Sequence, residues 1–178
     1  MRRARTSKSI RREAKKILQE CKVKNPPVPV ERIAETLGAQ IRYSPFDSDS
    51  ELAGMLIRSD GGTVIGVNSM HHVNRQRFTI AHECGHLLLH KGRDVHIDRS
   101  FRVNRRDEVS SQAIDPDEIE ANRFAAELLM PFDMFMKDLR EYDIDIEDGE
   151  ELKELAERYQ VSVQALTHRI TNLLNDLF

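Results

Sequence analysis

Arg77-Phe78-Thr79-Ile80-Ala81-His82-Glu83-Cys84-Gly85-His86-Leu87-Leu88-Leu89-His90 is the stretch on which the fold turns. Phe78, Ala81, Gly85, Leu88 and Leu89 recur at helical spacing, Asn74 is placed to cap the helix, and Gly92 to end it. An α-helix turns about 100° per residue, so His82 and His86 lie about 40° apart on one face, one turn from each other. Two imidazoles so placed can point at a single ion, with Glu83 beside them. A catalytic zinc site keeps three protein ligands and leaves one position open, where Glu83 can serve as general base toward water. The apolar stripe next to the histidines fits a buried metal helix, which a chance His-Glu-x-x-His would not require. Cys84 projects roughly opposite the histidines and reads as a small packed residue rather than a nucleophile.

The third ligand has to come from another element. Asp115-Pro116-Asp117-Glu118 opens a helix with an early proline and acids in its first turn, running to Met130 before Pro131. Its apolar face is Ile119, Phe124, Ala125, Leu128 and Leu129. Glu118 and Glu120 are the candidate ligands, with Glu127 further on. Glu118 and Glu120 point about 200° apart, so only one of them faces the histidines. Glu118 shares a face with Asn122, so that one can ligate while the other hydrogen-bonds a ligand histidine. Glu118 is therefore the first choice, Asn122 its supporting residue, and Glu120 the alternative ligand. The bland reading of either acid is a solvated side chain favoured by the helix dipole. His90 continues the i, i+4 series, but about 12 Å of axial rise separates it from His82, too far for one ion. It is assigned to the surface or to the support of a ligand. His71, His72 and His96 are placed to stabilise an oxyanion, although solvated side chains explain them as well.

Around this helix pair the chain reads as α+β. Ser7 to Lys22 is an amphipathic helix with a rim of Arg and Lys, and Val30 to Leu37 a short helix closed by Gly38. Alternation begins at Ile41, and Leu52 to Ile57, a turn at Asp60-Gly61-Gly62, and Thr63 to Val67 read as a small antiparallel sheet. Either of the last two strands offers an edge on which a substrate backbone can add. Residues 93–113 are a long loop with room for one strand. Beyond an acidic linker, Leu152 to Glu157 and Val163 to Leu174 form a helix-turn-helix in outline. The expected division is a metallopeptidase domain over 1–136 and a helical C-terminal subdomain over 137–178.

Lys and Arg number 27 against 30 Asp and Glu, a formal net charge of −3, which predicts no general affinity for nucleic acid. Gln164, Thr167, His168 and Asn172 sit on the exposed side of the last helix, yet the acids from Asp143 to Glu154 repel phosphate and argue against DNA binding. The length of 178 residues allows one domain with an appendage and not two enzymatic domains. No apolar run approaches the roughly 18 residues of a membrane span, and Met1-Arg2-Arg3-Ala4-Arg5 opens no apolar signal region. Cys21 and Cys84 make neither a disulfide framework nor a four-cysteine zinc site. A cytoplasmic protein with no membrane partner is expected.

The run Arg77 to His90 and the run Glu118-Ile119-Glu120-Ala121-Asn122-Arg123-Phe124-Ala125-Ala126-Glu127-Leu128-Leu129-Met130-Pro131 together resemble the ImmA/IrrE family of zinc metallopeptidases. The similarity extends more loosely from about Ile33, through Gly54 and Val67-Asn68. The resemblance implies a zincin-like core, Zn2+ held by His82, His86 and a helix glutamate, and cleavage of a helix-turn-helix repressor. The family pattern sets its ligand glutamate three residues before the alanine, which is Glu118 here. The expected activity is that of a zinc endopeptidase with Glu83 as base. The alternative is a non-catalytic regulator that binds a repressor or DNA and keeps zinc as a structural element.

Overall fold

The computed structural model describes residues 4–46, 52–90, 115–141 and 148–175, together with the backbone of 95–99. Thr6 accepts a hydrogen bond from the Ser9 amide and starts α1 (Ser7–Glu20), which buries Ile10, Ala14, Ile17 and Leu18 on one stripe. α2 (Val30–Thr36) adds Val30, Ile33 and Ala34 to the same core. The basic rim of α1 does not simply face water. Arg11 Nε lies 3.4 Å from Glu127 Oε2 with its guanidinium over the Phe132 ring, and Lys15 Nζ lies 2.7 Å from Asp133.

Four strands follow in the spatial order β1-β3-β2-β4, namely β1 (Ala39–Ser44), β2 (Leu52–Ser59), β3 (Gly62–Asn68) and β4 (Val95–Arg99). β2 and β3 form the expected antiparallel hairpin. β1 pairs with β3 in parallel, Ile41 opposite Ile65, so the sheet is mixed where a wholly antiparallel one was expected. Alternation of side chains marks a strand and carries no information on its direction. Because β1 and β4 take the outer places, β2 and β3 are internal, and the expectation that one of them is an open edge is corrected. A register shift between Leu52 and Gly54 where β2 meets β4 explains why Ala53 and Gly54 are buried in succession.

α3 (Val73–Leu89) lies against β2 and β3, and α4 (Pro116–Leu129) against α3 and α1. α3 is capped by His72, whose Nδ1 accepts from the Asn74 amide, rather than by Asn74. The Asn74 side chain instead donates to Val161 O, 3.0 Å away. The helix also stops at Leu89, short of Gly92, with His90 extended. α5 (Phe132–Glu141) is an addition to the expected elements. Pro131 reads as a stop, yet Phe132, Phe135, Met136 and Leu139 hold helical spacing beyond it.

α6 (Gly149–Tyr159) and α7 (Val163–Asn175) join the same hydrophobic cluster as α1 and α2 through Leu155, Tyr159, Leu166 and Ile170. Two buried acids join them to the rest. Asp138 accepts from the Tyr159 hydroxyl and Arg158 Nε, both at 2.8 Å, and Glu127 from Arg169 Nη2 at 2.6 Å. Removing one partner of a buried pair costs about 3–5 kcal/mol when the other charge is left alone, and somewhat less at Glu127, which keeps Arg11 Nε at 3.4 Å and the Phe132 amide at 3.1 Å. Arg169→Leu should therefore lower unfolding free energy by about 2–4 kcal/mol in urea titration, and adding Glu127→Leu should recover part of the loss. A double variant no more stable than the single one would show that the pair contributes little beyond packing.

Candidate metal centre

The site is set by how closely α3 and α4 approach. A Cβ added at Gly85 would lie 3.0 Å from Ala121 Cα and 3.2 Å from Ala121 O, so the glycine lets the two backbones approach more closely than a side chain there would without displacing α4. That contact brings the first turn of α4 over the histidines of α3. His82 Nε2 and His86 Nε2 lie 3.0 Å apart, and Glu118 reaches both, Oε2 at 3.4 Å from His82 Nε2 and Oε1 at 3.3 Å from His86 Nε2. Both histidines are buried, and Glu118 is half-buried. Four ligand atoms about 2.0–2.1 Å from a tetrahedral zinc stand about 3.3 Å from one another. Three donors at 3.0–3.4 Å fit such an ion with one position to spare.

The other face of each imidazole is also engaged. His82 Nδ1 is 2.8 Å from Asn122 Oδ1, an oxygen that can only accept, so the proton is on Nδ1 and the Nε2 lone pair points into the cluster. His86 Nδ1 is 3.1 Å from His90 Nδ1. Glu120, the alternative ligand, lies 3.1 Å from His90 Nε2 and groups with His90 and Asp117 rather than with His82, His86 and Glu118, in keeping with the angle of about 200° from Glu118. His90 itself is nearly enclosed, its side chain 9% exposed, which removes the expectation of a surface residue. His72 serves as the helix cap, and the side chain of His96 lies outside the described residues.

Glu83 is completely buried, on the side of α3 turned to the sheet. A Cβ on Gly54 would fall on Thr79 Cγ2, 2.9 Å from Gly66 O and 3.8 Å from Glu83 Oε1, so the glycine lets β2 pass close over the base. Two residues that periodicity does not single out hold the ends of this arrangement. Arg58, from β2, donates through Nη2 to His86 O at 2.9 Å and His90 O at 3.0 Å, placing a cation on the C-terminus of α3. Arg5, ahead of α1, donates its amide to Glu120 Oε1 at 2.8 Å. Neither is detectable from local spacing, because their partners are 28 to 115 residues away.

The model of the IrrE N-terminal-like domain, peptidase M78, matches residues 34–171. The chain belongs to this family. The elements described above make an α+β fold of the zincin kind, in keeping with that family. A Mycobacterium tuberculosis transcriptional regulator of known structure shares that fold, with a TM-score of 0.60 at 15% identity. The likeness covers 92% of this chain and 47% of the regulator, so the IrrE-like chain spans about half its length. No curated protein matches the sequence. Among the described residues no helix is long and apolar enough to cross a membrane.

Cys84, inside the IrrE-like motif, is fully enclosed, and burial first, then the Glu83 carboxylate, push its thiol well above the usual range. A raised value keeps the group protonated and unreactive at pH 8. Iodoacetamide should leave Cys84 unmodified in the native protein at pH 8 and alkylate it on unfolding, as read by peptide mapping. Rapid native labelling at Cys84 would mean that α3 opens from the sheet.

Proposed function

We propose that this chain is a zinc endopeptidase that cleaves a regulatory protein, with a helix-turn-helix transcriptional repressor as the substrate class. The observation that carries the proposal is the convergence of His82 Nε2, His86 Nε2 and a Glu118 carboxylate at spacings a tetrahedral zinc requires, with a buried carboxylate, Glu83, on the next residue of the same helix. In this assignment His82, His86 and Glu118 hold Zn2+, Asn122 orients His82, and Glu83 is the catalytic base. Zinc held there supplies a Lewis acid that polarises the scissile carbonyl. Glu83 takes a proton from the attacking water and delivers it to the leaving amine. Its burial limits the water that competes for the carboxylate.

An extended substrate is accommodated at a sheet edge by backbone pairing. With β2 and β3 internal, β4 is the outermost of the described strands on the side of β2, the strand that carries Gly54 past Glu83. Residues 1–136 are proposed as the catalytic unit and 137–178 as a helical subdomain, in a cytoplasmic protein.

The other reading, a zinc-containing regulator without peptidase activity that binds DNA or a repressor, has less behind it. A DNA-reading helix enters the groove by its N-terminal residues, and here the turn before α7 is bonded to α3, Val161 O to Asn74 and Gln160 O to Arg77. A structural metal site also has no use for a buried base. Glu83→Gln should therefore keep zinc and partner affinity and lose cleavage of a co-expressed repressor by a factor of about 10² or more, since an amide cannot accept the proton. Full cellular effect in that variant would remove the enzyme. Glu118→Ala should abolish zinc retention through gel filtration, measured by elemental analysis; unchanged zinc in it, with loss in Glu120→Ala, would move the ligand role to Glu120.

A further inference from the structure

A second cluster of metal-type donors touches the first. His90, Asp117 and Glu120 bring one nitrogen and two carboxylate oxygens within 4.8 Å of one another, which by composition alone suggests a second cation. Proton placement decides otherwise. His86 gives the Nε2 lone pair to the first cluster, so its proton sits on Nδ1, 3.1 Å from His90 Nδ1. His90 Nδ1 must accept that proton's hydrogen bond. Its own proton is then on Nε2, donated to Glu120 Oε2 at 3.1 Å. A cation at His90 Nε2 would need the lone pair there and would drive the His90 proton to Nδ1. Two N–H groups would then face each other across 3.1 Å unless one ring became an imidazolate.

We propose that His90 and Glu120 are positioning residues for the metal ligand His86, linked as His86 Nδ1–H to His90 Nδ1 and His90 Nε2–H to Glu120, and that they are not a second metal site. The inference rests on zinc binding at His82, His86 and Glu118. Glu120 is itself held, its Oε1 accepting the Arg5 amide at 2.8 Å and its Oε2 standing 3.7 Å from the Arg5 guanidinium. Arg5 Nη2 also lies 3.4 Å from Leu89 O, so the segment ahead of α1 pins both the acid and the end of α3. The carboxylate draws the His90 proton, and His90 in turn draws that of His86, which makes His86 Nε2 a better donor to a cation and fixes its ring plane. His82 receives the corresponding support from Asn122. Each histidine therefore has its tautomer set by a separate residue, one on α4 and one at the end of α3.

Zinc affinity of the full chain, by competition with a chromogenic chelator, tests this together with long-range 1H–15N spectra of the imidazoles. His90→Leu should weaken zinc binding about 10- to 100-fold, the usual effect of losing a partner behind a ligand. His90→Gln should retain most of the affinity, because its Oε1 accepts from His86 and its Nε2 donates to Glu120. A merely space-filling role predicts the reverse order or no difference. The spectra of the zinc-loaded wild type should show His86 protonated on Nδ1 and His90 on Nε2, which settles the matter even where His90→Leu fails to fold. Wild-type affinity in His90→Leu, a second tightly held zinc, or a His90 ring without a proton on Nε2 would each overturn the relay while leaving the first site standing. A wild-type chain that binds no zinc would overturn the metal assignment itself, and the relay with it.

Discussion

Everything at the candidate centre depends on two helix backbones touching at Gly85 and Ala121. The motif on α3 supplies two imidazoles, but an isolated helix leaves them open to water and one donor short. Bringing α4 within van der Waals distance places Glu118 above the pair and Asn122 behind one of them. Helix axes separated by a larger side chain sit about 8–10 Å apart. The glycine allows an approach at the close end of such packing, and Glu118 then meets both imidazoles from the first turn of α4. The apolar residues that drive α4 down, Phe124, Ala125 and Leu128, are fully buried against the same core as Ile80 and Ala81.

The acids around the centre illustrate the other constraint, that a buried carboxylate needs donors. Glu120, Glu127 and Asp138 are each at most 6% exposed, and each is reached by cations or hydroxyls from a distant part of the chain. Arg5 serves the first, Arg11 and Arg169 the second, Arg158 and Tyr159 the third. The termini are thus fastened to α4 and α5 by charge as well as by apolar packing. A net charge near zero conceals this, since the basic start of the chain is balanced by specific acids and not by the average.

Local pattern carried a large share of the fold. Helices over Ser7–Glu20, Val73–Leu89 and Pro116–Leu129, and the hairpin of β2 and β3, all follow from periodicity and caps that neighbouring residues make visible. Three features did not, each for a physical reason. The parallel pairing of β1 depends on where its chain crosses, which side-chain alternation does not encode. α5 is masked because proline is both a helix stop and a good first residue. The burial of His90 depends on α3 ending one residue before it, so that its ring turns back toward His86 and α4. At the centre, spacing alone puts His82 and His86 on one face, and the about 200° between Glu118 and Glu120 sends these acids to two different clusters. Arg58 and Arg5 could not be found this way, because nothing near them in the chain reports on the helix end or the carboxylate they meet.

The tight crossings also constrain how this sequence can drift among its descendants. Gly85 holds room that the backbone of Ala121 has already taken, and Gly54 room taken by the Thr79 methyl. A larger side chain at either glycine is not absorbed by a neighbouring rotamer alone, since part of each wall is main chain. A smaller residue at position 79 would remove the methyl yet leave the Gly66 carbonyl at 2.9 Å, and no exchange at position 121 removes the main-chain atoms that face position 85. What a lineage has to keep is therefore the spacing of helix to helix and helix to sheet, since a side chain at either glycine is accommodated by movement of main chain rather than by one compensating residue.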